Sequence, residues 1–149
     1  MIAKFLATLA IPLVVPVMQA GVVGPAEVLD GITMQVGKSV VRLYGLKAPS
    51  ADQTCRLEGE VIPCGEEAKA ALENLLGDSE VKCTTKGTDN KKRTLATCKA
   101  DGIDLNKGMV ESGWAKADTH ETKMFADYEA KPKAAGIGLW QNNLMVRLH

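Results

Sequence analysis

Four cysteines offer the most constrained chemistry in this chain: Cys55, Cys64, Cys83 and Cys98, separated by nine, nineteen and fifteen positions. No interval matches the C-x2-C unit typical of thiolate zinc sites, which argues against a four-cysteine metal centre. An even count suits two disulfides in an oxidising compartment, and three pairings are open. The expected arrangement is Cys55–Cys64, closing a local loop, and Cys83–Cys98, joining two adjacent strands. Other reactive side chains are sparse. His120 stands alone in the polar run A-K-A-D-T-H-E, where a solvated or helix-capping role is expected ahead of a catalytic one. Lys91-Lys92-Arg93 could touch a polyanion, but reads better as a solvated hairpin loop whose last member faces a pocket.

The N-terminus bears on the redox question. Lys4 precedes an apolar stretch over residues 5–17, and Met18-Gln19-Ala20 ends on a small residue, the pattern of a secretory signal over residues 1–20. Such a leader implies export, to the periplasm or the medium. The alternative is an uncleaved membrane anchor over residues 5–23, weakened by Pro12, Pro16 and Gln19. With 149 residues, 46% hydrophobic and 24% charged, the chain has the material for one packed domain and is not a disordered segment. Basic and acidic residues number 18 each, so the bulk charge excess of a dedicated nucleic-acid binder is absent.

The elements that must hold these residues follow from periodicity. Residues 25–29 read as a strand ending at the Asp30-Gly31 turn. Residues 33–36 and 39–44 form a hairpin across Gly37-Lys38, and 45–63 is mostly loop. Residues 65–76 place Ala68, Ala71, Leu72, Leu75 and Leu76 on one helical face. Residues 80–85 and 93–99 are strands joined by the polar segment 86–92. Asp104 caps a helix over 105–112 with Leu105, Met109 and Val110 inward, and 114–117 is short and extended. A last helix opens at Thr119 or His120 and runs to Ala135, with Pro132 kinking or ending it. Strands followed by segregated helices indicate an α+β fold.

Several stretches, in one order, carry a family resemblance: L-D-G-x-T from Leu29, V-R-L-Y-G-L-x-A-P from Val41, D-Q-T-C from Asp52, P-C-G-E-E-A-K-A-A-L-E-N-L-L from Pro63, R-T-L-A-T-C from Arg93, and G-W-A and G-L-W around Trp114 and Trp140. Together they resemble the staphylococcal-thermonuclease-like family over residues 24–141, leaving 142–149 as a C-terminal tail. The resemblance implies a five-stranded OB-fold β-barrel with three α-helices. It also implies phosphodiester cleavage with calcium, a carboxylate base and two arginines. Calcium takes oxygen donors, carboxylates above all. A carboxylate can deprotonate water, and guanidinium forks match phosphoryl oxygens.

This chain departs from that pattern at the three acidic positions. The two metal carboxylates are replaced by Ile32 and Lys47, and the general base by Ser50. A hydrocarbon cannot coordinate calcium, an ammonium repels it, and a hydroxyl is a poor base at neutral pH. Ile32 is expected to pack in the barrel. Asp30 and Asp52 lie close in sequence but also occur in active relatives, so neither reads as a replacement. Arg42 and Arg93 match the phosphate-contacting arginines. With Lys47 they would form a cationic anion or phosphate pocket of three cations without a carboxylate partner; the other reading is arginines at the barrel rim satisfied by carboxylates, with Lys47 in a salt bridge. The family's nucleotide-contacting tyrosines are missing after G-W-A. The expected function is therefore an exported domain without calcium or catalysis. It would bind a nucleotide, single-stranded nucleic acid or another anion, or an envelope protein. The alternative is an active phosphodiesterase with altered metal use.

Overall fold

The computed structural model describes residues 2–16 and 21–148. Residues 2–16 are exposed and carry no regular structure, and the expected cleavage triplet Met18-Gln19-Ala20 lies outside the described residues. Among the described residues no helix is long and apolar enough to cross a membrane.

The first strand is longer than expected. It consists of β1 (Gly21–Gly24) and β2 (Ala26–Asp30), separated by Pro25, which has no N–H to give a sheet ladder. β3 (Thr33–Val36) and β4 (Ser39–Leu43) form the expected hairpin, and β8 (Val81–Thr88) and β9 (Thr94–Ala100) a second one. The sheet runs β1-β8-β9-β4-β3-β2, with β4 and β9 parallel and β10 (Ile103–Asp104) added beside β9. The path starts and ends on the two halves of one interrupted strand, so it wraps round a single core. This is the α+β architecture, with an OB-type order of strands. Met34, Val41, Leu43, Leu72, Val81, Leu105 and Met109 are fully buried inside it.

α1 (Cys64–Leu76) buries Ala68, Leu72 and Leu76 and half-buries Ala71 and Leu75, the face that its periodicity specifies. It lies so close to the Asp30-Gly31 turn that a Cβ on Gly31 would come within 2.8 Å of Ala68 Cβ. α2 (Leu105–Glu111) starts where expected: Asp104 Oδ1 accepts from the Lys107 N–H at 3.0 Å. Asn106 on α2 is fully buried. Its Oδ1 accepts from the Cys98 N–H at 2.9 Å, and its Nδ2 donates to the carbonyls of Tyr44 at 3.0 Å and Ala96 at 3.2 Å.

Both expected disulfides form, Cys55–Cys64 and Cys83–Cys98. They indicate an oxidising, exported environment.

Three expectations need correction. The segment 45–63 is not simply loop, since it contains β5 (Leu46–Lys47) and a hairpin of β6 (Cys55–Leu57) and β7 (Glu60–Ile62). The hairpin turns at Glu58-Gly59, both with positive φ, and strands of three residues are too short to show a period. The tail supplies β12 (Leu144–Met145), paired with β6, while β11 (Lys116–Ala117) pairs with β5. The last helix does not open at Thr119 or His120. After a run of turns and a short 3-10 segment, α3 (Ala130–Ala135) begins just before Pro132. Pro132 lies in the first helical turn, where no amide needs an intrahelical acceptor, so it does not end the helix.

Candidate functional site

Strand alternation sorts the side chains of β4. Val41 and Leu43 point into the core, which turns Arg42 to the outer rim. There Arg42 Nη1 donates to the Leu46 carbonyl at 3.2 Å, and Nη2 donates to Glu121 Oε2 at 2.5 Å. Its Nε lies 3.6 Å from Asp89 Oδ2. The parallel pairing of β4 with β9 brings Arg93, just before β9, to the same place. Arg93 Nε donates to Asp89 Oδ2 at 2.7 Å, and Asp89 Oδ1 accepts from the N–H groups of Lys91 and Arg93, both at 2.9 Å. Burial alone would raise the Asp89 carboxyl. The hydrogen bonds from Arg93 and Lys91 outweigh it and hold the group below its ordinary value of 3.8.

The segment 118–125 closes over this rim. The Asp118 N–H donates to the Gly45 carbonyl at 2.7 Å, the Gly45 N–H donates to Glu121 Oε1 at 2.6 Å, and the Tyr44 hydroxyl donates to the Glu121 carbonyl at 3.1 Å. Gly45 has φ 79°, and a Cβ there would lie 2.5 Å from Thr122 Cγ2 and 2.9 Å from Phe125 Cδ2. Only a residue without a side chain permits this approach.

Arg42 and Arg93 meet at this rim through Asp89, whereas Ser50 lines a groove whose lining includes neither arginine. Ile32 is 4% exposed and belongs to the core, as expected. Its N–H donates to Asp30 Oδ1 at 2.9 Å, so Asp30 is engaged in its own turn. Lys47 Nζ lies 3.8 Å from Asp118 Oδ1. The Ser50 N–H donates to Gln53 Oε1 at 3.2 Å, and Ser50 Oγ is 3.5 Å from the same atom. His120 is exposed, its N–H on Asp118 Oδ1 at 3.1 Å. The picture of three cations without a carboxylate partner is corrected: Arg42, Arg93 and Lys47 each have one. Asp89 was legible in principle, four residues before Arg93. Glu121 was not, because 79 residues separate it from Arg42 and no local spacing marks the pair.

The donor set suits calcium poorly. Ile32 offers a hydrocarbon, Lys47 an ammonium and Ser50 a hydroxyl, none of them the oxygen anion that calcium favours. The nearby carboxylates of Asp89, Asp118 and Glu121 are each committed to a cation. Among the described residues no group of three His, Cys, Asp or Glu side chains is placed to hold a metal ion. Thr33 Oγ1, opposite Arg42 in the hairpin, is a buried oxygen without a partner, and one neutral hydroxyl does not make a calcium site.

Comparison with known proteins agrees with this architecture. The chain is 35% identical over 124 residues to the succinoglycan biosynthesis protein ExoI of Rhizobium meliloti, an alignment covering 80% of this chain and 65% of that protein. It is 29% identical over 124 residues to an uncharacterized endonuclease of Haemophilus influenzae, covering 78% of this chain and 65% of the relative. The chain thus spans just under two thirds of the length of these relatives. A family model described as staphylococcal nuclease homologue matches residues 40–142, from the start of the Arg42 strand past Trp140, and the chain belongs to that family.

Proposed function

We propose that this domain has lost the calcium-dependent phosphodiesterase chemistry of its family and serves as an exported binding or interaction module. The observation that supports this most directly is the self-neutralised rim. Arg42 lies between Glu121 and Asp89, Arg93 is held by Asp89, and Lys47 sits beside Asp118. The cationic groups that would grip a phosphate already have anions of the chain itself, and no carboxylate remains at positions 32, 47 or 50 to bind calcium or accept a proton. A nucleotide, a single strand or another anion would reach Arg42 and Arg93 only by displacing Glu121 or Asp89.

Incubating the purified domain with single-stranded DNA and calcium, magnesium or manganese tests this. The expected result is no cleavage above that of an Arg42→Ala control. Cleavage that disappears in Arg42→Ala or Arg93→Ala would instead establish the second reading, a working phosphodiesterase with altered metal use. That reading draws on the two retained arginines and on the endonuclease name of the Haemophilus relative. The Rhizobium relative is named for succinoglycan biosynthesis, so the two names point to different substrates and neither is carried over alone.

A further inference from the structure

The chain has four arginines, and they divide into two pairs. Arg42 and Arg93 are tied to carboxylates at the family site. Arg56 and Arg147 are exposed, and neither forms an ion pair among the described residues. Both line one groove of about 720 Å³, together with Ser50, Gln53, Thr54, Val61 and Met145. Asp52 is the sole acidic residue among its lining residues, so the groove has an excess of positive charge.

The floor of the groove is the small sheet β12-β6-β7. Its register sets Met145 opposite Arg56 and Arg56 opposite Val61, so the three side chains form one row across the strands. Met145 is 72% and Val61 58% exposed, which leaves a guanidinium flanked by two uncovered apolar side chains. Neighbouring strands lie ~4.8 Å apart, so the row spans about 10 Å, within reach of a few residues of extended peptide. β12 and Arg147, which form part of the wall, lie beyond the residues matched by the family model. Gln53 holds this wall in place: its Nε2 donates to the Arg147 carbonyl at 2.6 Å.

We infer that this groove is a docking site for an acidic protein segment that carries apolar residues beside its carboxylates. Two unpaired guanidiniums can each take a carboxylate in a forked pair. The aliphatic flanks favour leucine-like side chains. Nucleic acid fits less well, because the groove has no aromatic ring on which a base could stack and the chain has no net positive charge. The groove reaches Ser50 but its lining includes neither Arg42 nor Arg93, and its failure would leave the loss-of-catalysis reading untouched.

Fluorescence anisotropy at low salt tests the proposal with three labelled probes: a decapeptide alternating leucine and glutamate, its leucine–lysine counterpart, and a ten-nucleotide thymidine strand. The glutamate peptide is expected to bind, and the lysine peptide and oligonucleotide at least tenfold more weakly. An Arg56→Glu/Arg147→Glu double variant should lose at least tenfold in affinity. Val61→Ser/Met145→Ser should also weaken binding although it keeps every charge, and Lys82→Glu, outside the groove, should not. These positions are exposed, and an unchanged thermal unfolding midpoint confirms that each variant folds. Absence of binding by the glutamate peptide, binding indifferent to the arginine variant, or preference for the oligonucleotide overturns the proposal.

Discussion

A guanidinium taken most of the way out of water must be matched by charge, and at Arg42, 11% exposed, the match comes from Glu121 and Asp89. Glu121 does more than pair: its second oxygen accepts the Gly45 N–H. Glu121→Ala therefore leaves the Gly45 amide without its acceptor and Arg42 with only Asp89 and the Leu46 carbonyl, a loss of about 2 kcal/mol. Urea unfolding should show that loss, and Glu121→Gln, which keeps an acceptor for Gly45, should lose less. A change below about 0.5 kcal/mol, the level of an exposed pair, would mean that water replaces the carboxylate without penalty. Asp89 makes a prediction about pH. Its folded carboxyl titrates below the ordinary 3.8, so its contribution to stability is fully present above that value and is lost as pH falls through the lower folded value. Asp89→Asn should be less stable than the parent near pH 7, and the gap should close as pH falls below about 4. A gap independent of pH would show that the charge on Asp89 plays no part.

At the scale of elements, Asn106 shows how a polar side chain fixes the position of a helix. One amide satisfies groups on β9 and at the end of β4, and so sets α2 against the strand that carries Arg42. Asn106→Leu fills similar space but strands the Cys98 N–H and takes a donor from the Tyr44 carbonyl, each unsatisfied group costing about 1–3 kcal/mol, while the Ala96 carbonyl keeps the Tyr44 N–H. The variant should unfold at markedly lower urea, and hydrogen exchange should quicken at Cys98; unaltered exchange there would contradict the assigned bond. The same elements show what the sequence could and could not reveal. α1, α2 and the β3–β4 hairpin were legible because an apolar face repeats or a two-residue turn intervenes. Ile32 was legible as a core residue because a branched hydrocarbon has no other use there. The β6–β7 hairpin and β12 were not, since two or three residues make no period and β12 depends on a partner far away in the chain. The expected helix from Thr119 gave way because segment 118–125 is pinned at the Asp118 N–H by the Gly45 carbonyl and at the Glu121 carboxylate by Arg42 and the Gly45 N–H, and takes up its other amides in local turns. Local pattern identifies faces, whereas the Arg42–Glu121 pair is a tertiary fact.

Across the whole molecule, the domain has the family's frame, and the charges at its rim are paired within the chain. Equal numbers of acidic and basic residues leave no global field to draw a polyanion in, and the local field at the rim is cancelled by pairing. If positions 32, 47 and 50 are those at which this frame would hold a calcium ion, then Ile32→Asp, Lys47→Asp and Ser50→Glu together should confer calcium binding. The triple variant should be destabilised when calcium is absent. Ile32→Asp puts a carboxylate into the core at a position that is 4% exposed, and Lys47→Asp sets a like charge against Asp118. Its melting temperature without calcium should therefore fall well below that of the parent. Calcium should then raise it, because a ligand that binds only the folded state stabilises by about 2.7 kcal/mol at a hundredfold excess over its dissociation constant. The parent should show no calcium-dependent rise. Differential scanning calorimetry with and without the ion separates the outcomes: recovery confined to the triple variant supports the positional correspondence, and a folded triple variant indifferent to calcium shows that the metal donors of this frame lie elsewhere.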